Sequence, residues 1–303
     1  MRFLTCVLFV LVSSVFGEWL LSDSILTHFA KEWQEAQKLY DATHKPKNQT
    51  HAQKSTPKLT LNSGQKPKLL IIMDDIHTKR QLDNLARLGL NITPSIFPKT
   101  PYSPKTPQIT QDFARHWEGE YMVHLPLQAI NFAQNELEPI EVGTDKDSLR
   151  EVLGRIKDDF PHIKFINNHT GSKFTSSKED MQNLLEVFDE FGLEFIDSVT
   201  SEHIASPKIA REQSRLIMQR DIFLDNNIQT QSIATQIKIA INKAKQKGYA
   251  IAICHPHKET LQALREANFS EVELISPSEL QNHLYAQNIK LYNRSKFQYA
   301  QNF

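Results

Sequence analysis

The chain of 303 residues contains only two cysteines, too few for a disulfide framework or a four-thiolate zinc site. It has no surplus charge of either sign. Its 35 Lys and Arg stand against 35 Asp and Glu, which removes the broad positive field that sequence-independent nucleic-acid binding needs. Its one long apolar run, at the N-terminus, falls short of the roughly 20 residues that a membrane-spanning helix needs. Signature motifs are missing too: there is no Gly-x-Ser-x-Gly elbow, no Gly-x-Gly-x-x-Gly turn, no phosphate-binding Gly-Lys-Ser/Thr loop and no His-Glu-x-x-His. No repeat of 20–50 residues is visible, which argues against a solenoid. What the chain does have is twelve histidines, and the question is which of them carry chemistry.

The first 17 residues read as a secretory signal: Arg2 is a short positive region, Phe3 to Val15 an uncharged apolar stretch, and Val15-Phe16-Gly17 a cleavage site before Glu18. The alternative is an uncleaved anchor prolonged by Trp19, Leu20 and Leu21, in which case the protein would meet a membrane at that segment alone. Either way the expected location is the periplasm or cell envelope. Cleavage would remove Cys6 and leave Cys254, which reads as a buried inert thiol. Residues 18–66 read as one amphipathic helix, carried by Ile25, Leu26, Phe29, Trp33 and Leu39, followed by a Lys-, Pro-, Gln- and Thr-rich flexible spacer. The sequon at Asn48 is too common a pattern to assign a role. Residues 67–303 form the globular part.

There, short apolar runs alternate with segments of helical period. The runs begin with Lys68–Asp74 and end near Phe97, at His124, near Asn168, at Asp197, at Asp225, at His255 and near Ser276; the helical period is clearest at 146–159, 177–191, 232–247 and 258–267. Uniformly apolar strands alternating with helices predict an α/β fold with a mainly parallel sheet covered by helices. About seven such strands fit a distorted (β/α) barrel better than an open doubly wound sheet.

In a parallel barrel all carboxyl ends of the strands face one mouth. Here those ends carry Asp74-Asp75, His124, Asn168-His169, Asp197, Asp225 and His255. One Asp after a strand is usually a turn former or helix cap, but several in register are harder to dismiss. Metal-assisted hydrolysis uses this kind of set: two imidazoles and a carboxylate hold an ion, and a further carboxylate and imidazole remain as general base and general acid. Adjacent carboxylates leave a strand end in different directions, so Asp74 and Asp75 can divide these tasks.

In order and spacing, Ile71-Ile-Met-Asp-Asp75, His124-Leu-Pro-Leu127, Asn167-Asn-His-Thr-Gly-Ser172, Phe195-Ile-Asp-Ser198, Arg220-Asp-Ile-Phe-Leu-Asp-Asn226 and Ala250-Ile-Ala-Ile-Cys-His-Pro256 resemble the divergent polysaccharide deacetylases of bacteria. These look like a distant branch of the NodB-homology deacetylases, carbohydrate esterase family four. The resemblance covers about residues 67–280. It implies a divalent metal, usually zinc, and removal of N- or O-acetyl groups from a polysaccharide such as peptidoglycan or an aminoglycan. Carried over by position, Asp74 is the general base, Asp75, His124 and His169 are the metal ligands, and His255 is the acid that protonates the leaving amine. Asn168, Asp197 and Asp225 are their supports, orienting an imidazole or fixing a loop. The sequence departs from the better-known deacetylases in lacking a His-x-x-x-His turn, so that His124 and His169 come from different strands.

His77 could reach the mouth or sit on the surface where a helix begins, and His257, two residues after His255, could assist it but is expected in solvent at the start of the following helix. His28, His44, His51, His116, His162, His203 and His283 have no partners suggested by the sequence and read as structural or solvated. Tyr102 and Trp117 are candidates for stacking on sugar rings, with core packing as the alternative. Two functional classes remain open: an exported deacetylase, and a non-catalytic envelope protein that uses the same groove to bind glycan or a protein partner.

Overall fold

A computed structural model of the chain describes residues 64–117 and 119–286. The signal at 1–17, nearly all of the helix and spacer at 18–66, the sequon at Asn48, and His28, His44 and His51 lie outside the described residues.

Strand β1 (Lys68–Ile76) is buried almost throughout, as its run of Leu, Ile and Met requires. Helix α1 (Lys79–Ala86) follows, opened by a capping box in which the Thr78 hydroxyl and the Gln81 side chain satisfy each other's backbone N–H groups. Next come β2 (Thr93–Ile96), α2 (Thr106–Ala114), β3 (Met122–Leu127), α3 (Lys146–Asp159), β4 (Phe165–Thr170), α4 (Lys178–Glu190), β5 (Glu194–Asp197) and α5 (Ser206–Glu212). The short strands β6 (Met218–Gln219) and β7 (Ile222–Phe223) precede α6 (Thr230–Lys247), β8 (Tyr249–Cys254), α7 (Lys258–Glu266) and β9 (Glu273–Leu274). The chain is helical again over 277–286. The four helices that the period marks most clearly all form, with Asp145 and Ser177 capping α3 and α4. No helix among the described residues is long and apolar enough to cross a membrane.

All strand pairs are parallel, in the order β6-β5-β4-β3-β2-β1-β8-β7, with β9 beside β1. The two ends of that order, β6 and β7, are consecutive in the chain. Arg220 N donates to Asp197 O on β5 (2.9 Å), and Asp221 N, one residue on, donates to Ile251 O on β8 (2.8 Å). Residues 218–223 thus stitch one edge of the sheet to the other, which forces the sheet to curl into a distorted barrel. With this segment counted as one bent strand and β9 set outside the ring beside β1, the barrel has seven strands, in line with the expectation of about seven.

Alternation sorts the side chains. Leu70 and Ile72 of β1, Met122, Phe165, Ile196, Met218, and Tyr249, Ile251 and Ile253 of β8 face inward and fill the lower barrel together with Ile275, Leu280 and Leu284. Leu69, Ile71, Met73, Val123, Leu125, Ile166 and Phe195 face outward onto the helices. The inward row continues upward into polar residues: Asp74 above Ile72, His124 above Met122, Asn167 and His169 above Phe165, and His255 above Ile253.

Asp221 fastens the closing segment. One carboxylate oxygen pairs with Lys247 and the other accepts from Ile251 N (2.8 Å). Asp221→Ala leaves that part-buried N–H without its acceptor and is expected to cost about 1–3 kcal/mol of unfolding free energy. Urea denaturation reads this directly, with Asp221→Asn losing less; an unchanged midpoint would contradict this role.

Candidate metal centre

Four strands deliver the central residues. Asp75 breaks the alternation that would point it at the helices: its backbone is left-handed (φ 59°), and the β1–β2 register shifts between Met73 and Ile76. The extra residue turns the Asp75 carboxylate into the mouth beside Asp74, so both members of the pair face the site. Thr170, just past His169, is also left-handed (φ 51°). Gly171 follows at φ 95°, where a Cβ would lie 2.9 Å from Leu127 Cβ, so this turn needs glycine.

Asp75 Oδ1 lies 3.0 Å from His169 Nδ1 and 3.2 Å from His124 Nε2, and the two ring nitrogens are 3.1 Å apart. Three ligands held at about 2.0–2.2 Å from one zinc ion stand roughly 3 Å from each other, so this triangle fits such an ion. Neutral imidazole and carboxylate are also the donor types that zinc and its neighbours take. The exposed face is Asp75, 33% accessible, with His255 at 24%, whereas His124 and Asp74 are 3% and 2% accessible. The triangle is therefore closed below and open towards the mouth.

Asn167, fully buried, binds the parts together. Its amide nitrogen donates to Asp74 Oδ1 (2.8 Å) and Ser198 Oγ (3.1 Å). Its oxygen, so directed, accepts from Ser95 Oγ (2.6 Å) and from His124 Nδ1 (3.0 Å). The proton of neutral His124 is thus on Nδ1, and the Nε2 lone pair faces Asp75. His169 Nε2 lies 2.7 Å from Gln134 Oε1. Phe97 packs against both imidazoles, with ring centroids 5.3 and 4.9 Å away.

His255 stands on the other side of Asp75, its Nε2 4.0 Å from Asp75 Oδ2. Its Nδ1 is 2.9 Å from Asp225 Oδ1, while Asp225 Oδ2 accepts from His255 N (2.6 Å) and Thr260 Oγ1 (2.8 Å). Asp225, His255 and His257 also lie close enough to share an ion, but hydrogen bonds already occupy both Asp225 oxygens.

Electrostatics separate the two neighbouring carboxyls. Burial pushes Asp74 up to about 6 against the opposing pull of His124, His255 and the Asn167 amide. Burial acts on Asp75 in the same direction, but His169 and His124 outweigh it and hold that carboxyl well below the ordinary range. For His255, burial is overridden by Asp225, which with Asp75 and Asp74 raises the imidazole to about 10. Burial lowers His169. Two adjacent carboxyls pushed apart in this way are suited to different tasks.

The residues expected at the mouth are together, and the three supports divide the two tasks expected of them, Asp225 holding the His255 imidazole. Asn168 and Asp197 have outward parity and fix loops rather than imidazoles. Asn168 donates to Thr170 O (2.6 Å) and accepts from Ser198 N (2.9 Å), and Asp197 accepts from Val199 N (2.8 Å) and from the Ser206 hydroxyl. The residue that orients the His124 imidazole is Asn167, one position before Asn168 and on the inward row, a signal present in the alternation. Gln134 has no comparable sequence signal, because it sits mid-loop. His77 is half-buried against the mouth, its Nδ1 3.1 Å from Asp75 O and its ring 5.1 Å from Tyr102. His257 is half-buried at the start of α7, not in solvent, because its ring packs 6.1 Å from His255. Trp117 precedes β3, at the end of the barrel opposite the mouth. It stacks on Phe113 and lines an open cavity with Ala86, Asn91, His116 and Gly119. Cys254 is buried, its thiol pushed up by burial and 3.6 Å from Ile72 O. His116, His162 and His203 are exposed and His283 is half-buried.

A model of the divergent polysaccharide deacetylases matches residues 71–280, a span that contains every residue of the centre. The chain is 30% identical over 213 residues to an uncharacterized protein of Haemophilus influenzae, covering 70% of this chain and 74% of that one. It is 26% identical over 219 residues to the uncharacterized Escherichia coli K12 protein YibQ, covering 71% and 67%. In fold it is similar to the crystal structure of an uncharacterized Agrobacterium tumefaciens C58 protein, ATU2773, with a TM-score of 0.62 at 18% identity over 74% of this chain and 92% of that one.

Removing the Asn167 amide strands Ser95, Ser198, His124 and Asp74 at once. Asn167→Ala is expected to lose at least about 1–3 kcal/mol, the cost of one buried polar group left unpaired. Denaturant unfolding of the purified variant checks this, and a loss below about 0.5 kcal/mol would contradict the network.

Proposed function

Since the chain belongs to the divergent polysaccharide deacetylase family, we propose that it is a metal-dependent hydrolase that removes acetyl groups from a cell-envelope or secreted polysaccharide. The observation that carries this reading is the pairing of an open Asp75–His124–His169 triangle with a buried carboxylate, Asp74, and an Asp-backed imidazole, His255, beside it. A purely binding groove has no need of a base and an acid flanking one ligand set.

Asp75, His124 and His169 would hold a divalent ion, zinc by the nature of the donors, which would supply Lewis acidity towards an acetyl carbonyl and acidify water. The remaining steps fall to the chain's own groups. Asp74, raised towards neutral pH by burial, takes the proton of the attacking water. Asn167 holds Asp74 Oδ1 in place while it does so. Asp75 stays ionised because two imidazoles face it. His255, kept protonated by Asp225, donates from Nε2 to the departing sugar amine or hydroxyl. The chain's zero formal charge suits a glycan better than a nucleic acid. The apolar N-terminal segment, read as a secretory signal, supports an activity outside the cytoplasm.

Asp74→Asn is expected to slow acetate release from zinc-loaded protein on acetylated glycan by about 10²–10⁴-fold while leaving zinc content unchanged. Undiminished release in the variant, or none from the parent with zinc supplied, would refute the catalytic reading and leave the binding protein. The double variant His124→Ala/His169→Ala is expected to hold no zinc by elemental analysis; stoichiometric retention would refute the ligand set.

A further inference from the structure

We propose that Gln134 is a positioning residue that commits His169 to bind the ion through Nδ1, opposite to His124, which binds through Nε2. This rests on the metal reading above. A neutral imidazole has one proton and one lone pair, so the two histidines have four tautomer combinations. Only one of them turns both lone pairs onto Asp75 Oδ1: His124 protonated at Nδ1 and His169 protonated at Nε2. Asn167 secures the first through the 3.0 Å contact to His124 Nδ1. Gln134 Oε1, 2.7 Å from His169 Nε2, accepts that proton and secures the second. An acceptor behind a ligating imidazole fixes its tautomer and orientation and raises its basicity.

The loop that brings Gln134 to this place is anchored along its length. The chain leaves β3 at Leu127 and returns beside it at Ile140, where Ile140 N donates to Pro126 O (3.0 Å) and Gln128 N donates to Ile140 O (2.9 Å). On the way out, Ile130 N donates to Ser172 Oγ (3.0 Å), in the turn after His169. On the way back, a short 3₁₀ turn at Asn135–Leu137 buries Leu137, and Glu136 O accepts from Tyr102 N (3.1 Å). Gln134 sits at the start of that turn, half-buried, so its side chain can be changed without emptying the core.

The test is zinc titration of the full chain against a chromophoric chelator, for the parent, Gln134→Leu and Gln134→Glu, with thermal midpoints as the folding control. Gln134→Leu is expected to bind zinc about 10–100-fold more weakly at an unchanged midpoint. Gln134→Glu, which keeps an acceptor, is expected to restore the parent affinity to within about threefold. Long-range ¹H–¹⁵N NMR of the zinc-loaded parent is expected to find the His169 proton on Nε2. Equal affinity in Gln134→Leu, or a His169 proton on Nδ1, would overturn the assignment of Gln134 while leaving the metal site standing. A parent that takes no zinc would overturn the metal reading, and this assignment with it.

Discussion

Three lone-pair-bearing atoms, Asp75 Oδ1, His124 Nε2 and His169 Nδ1, are held 3.0–3.2 Å apart, and much of the upper barrel is arranged to keep them so. With the imidazole protons turned to Asn167 and Gln134, the three atoms direct lone pairs at one another, a conflict that is absent only when a further proton sits on His124 or His169 or a cation sits between them. A cation in the triangle resolves the conflict. The left-handed backbone at Asp75, the buried Asn167 network and the Phe97 ring against both imidazoles serve that one convergence.

Beneath it, the barrel is a single alternating pattern read twice. In the lower layers the inward positions are Leu70, Ile72, Phe165, Ile251 and Ile253, which pack as an apolar plug. One pleat higher the same rows present Asp74, Asn167, His169 and His255. The polar groups thus stand on a rigid, fully packed floor, which is what holding ligand atoms to within a few tenths of an ångström requires. Closure of the barrel through residues 218–223 sets the distance across the mouth, and Asp225, two residues beyond β7, reaches His255 because of it.

Much of this was legible in the sequence because it rests on short-range rules. Apolar runs marked the strands, helical period marked α3, α4, α6 and α7, and the strand ends located both carboxylates and all three imidazoles. What escaped has physical reasons. Helix α2 carries Pro107 in its first turn and α5 is only seven residues long, so neither shows a strong period. The resemblance points to Asn168 as a support and leaves Asn167 without a role; parity assigns the imidazole contact to Asn167 and the loop contact to Asn168. Gln134 depends on how a loop returns to β3, a long-range fact with no local pattern. The bulge at Asp75 was equally hidden: adjacent carboxylates are expected to leave a strand end in different directions, and the left-handed residue turns both into the mouth.

The account depends on one ion bound by two imidazoles and one carboxylate. X-ray absorption of the zinc-loaded protein measures that shell. The prediction is one zinc per chain with two imidazole nitrogens at about 2.0–2.1 Å, completed by oxygen at about 2.0–2.2 Å. A chain that takes up no zinc, or a shell without two histidine nitrogens, would contradict it.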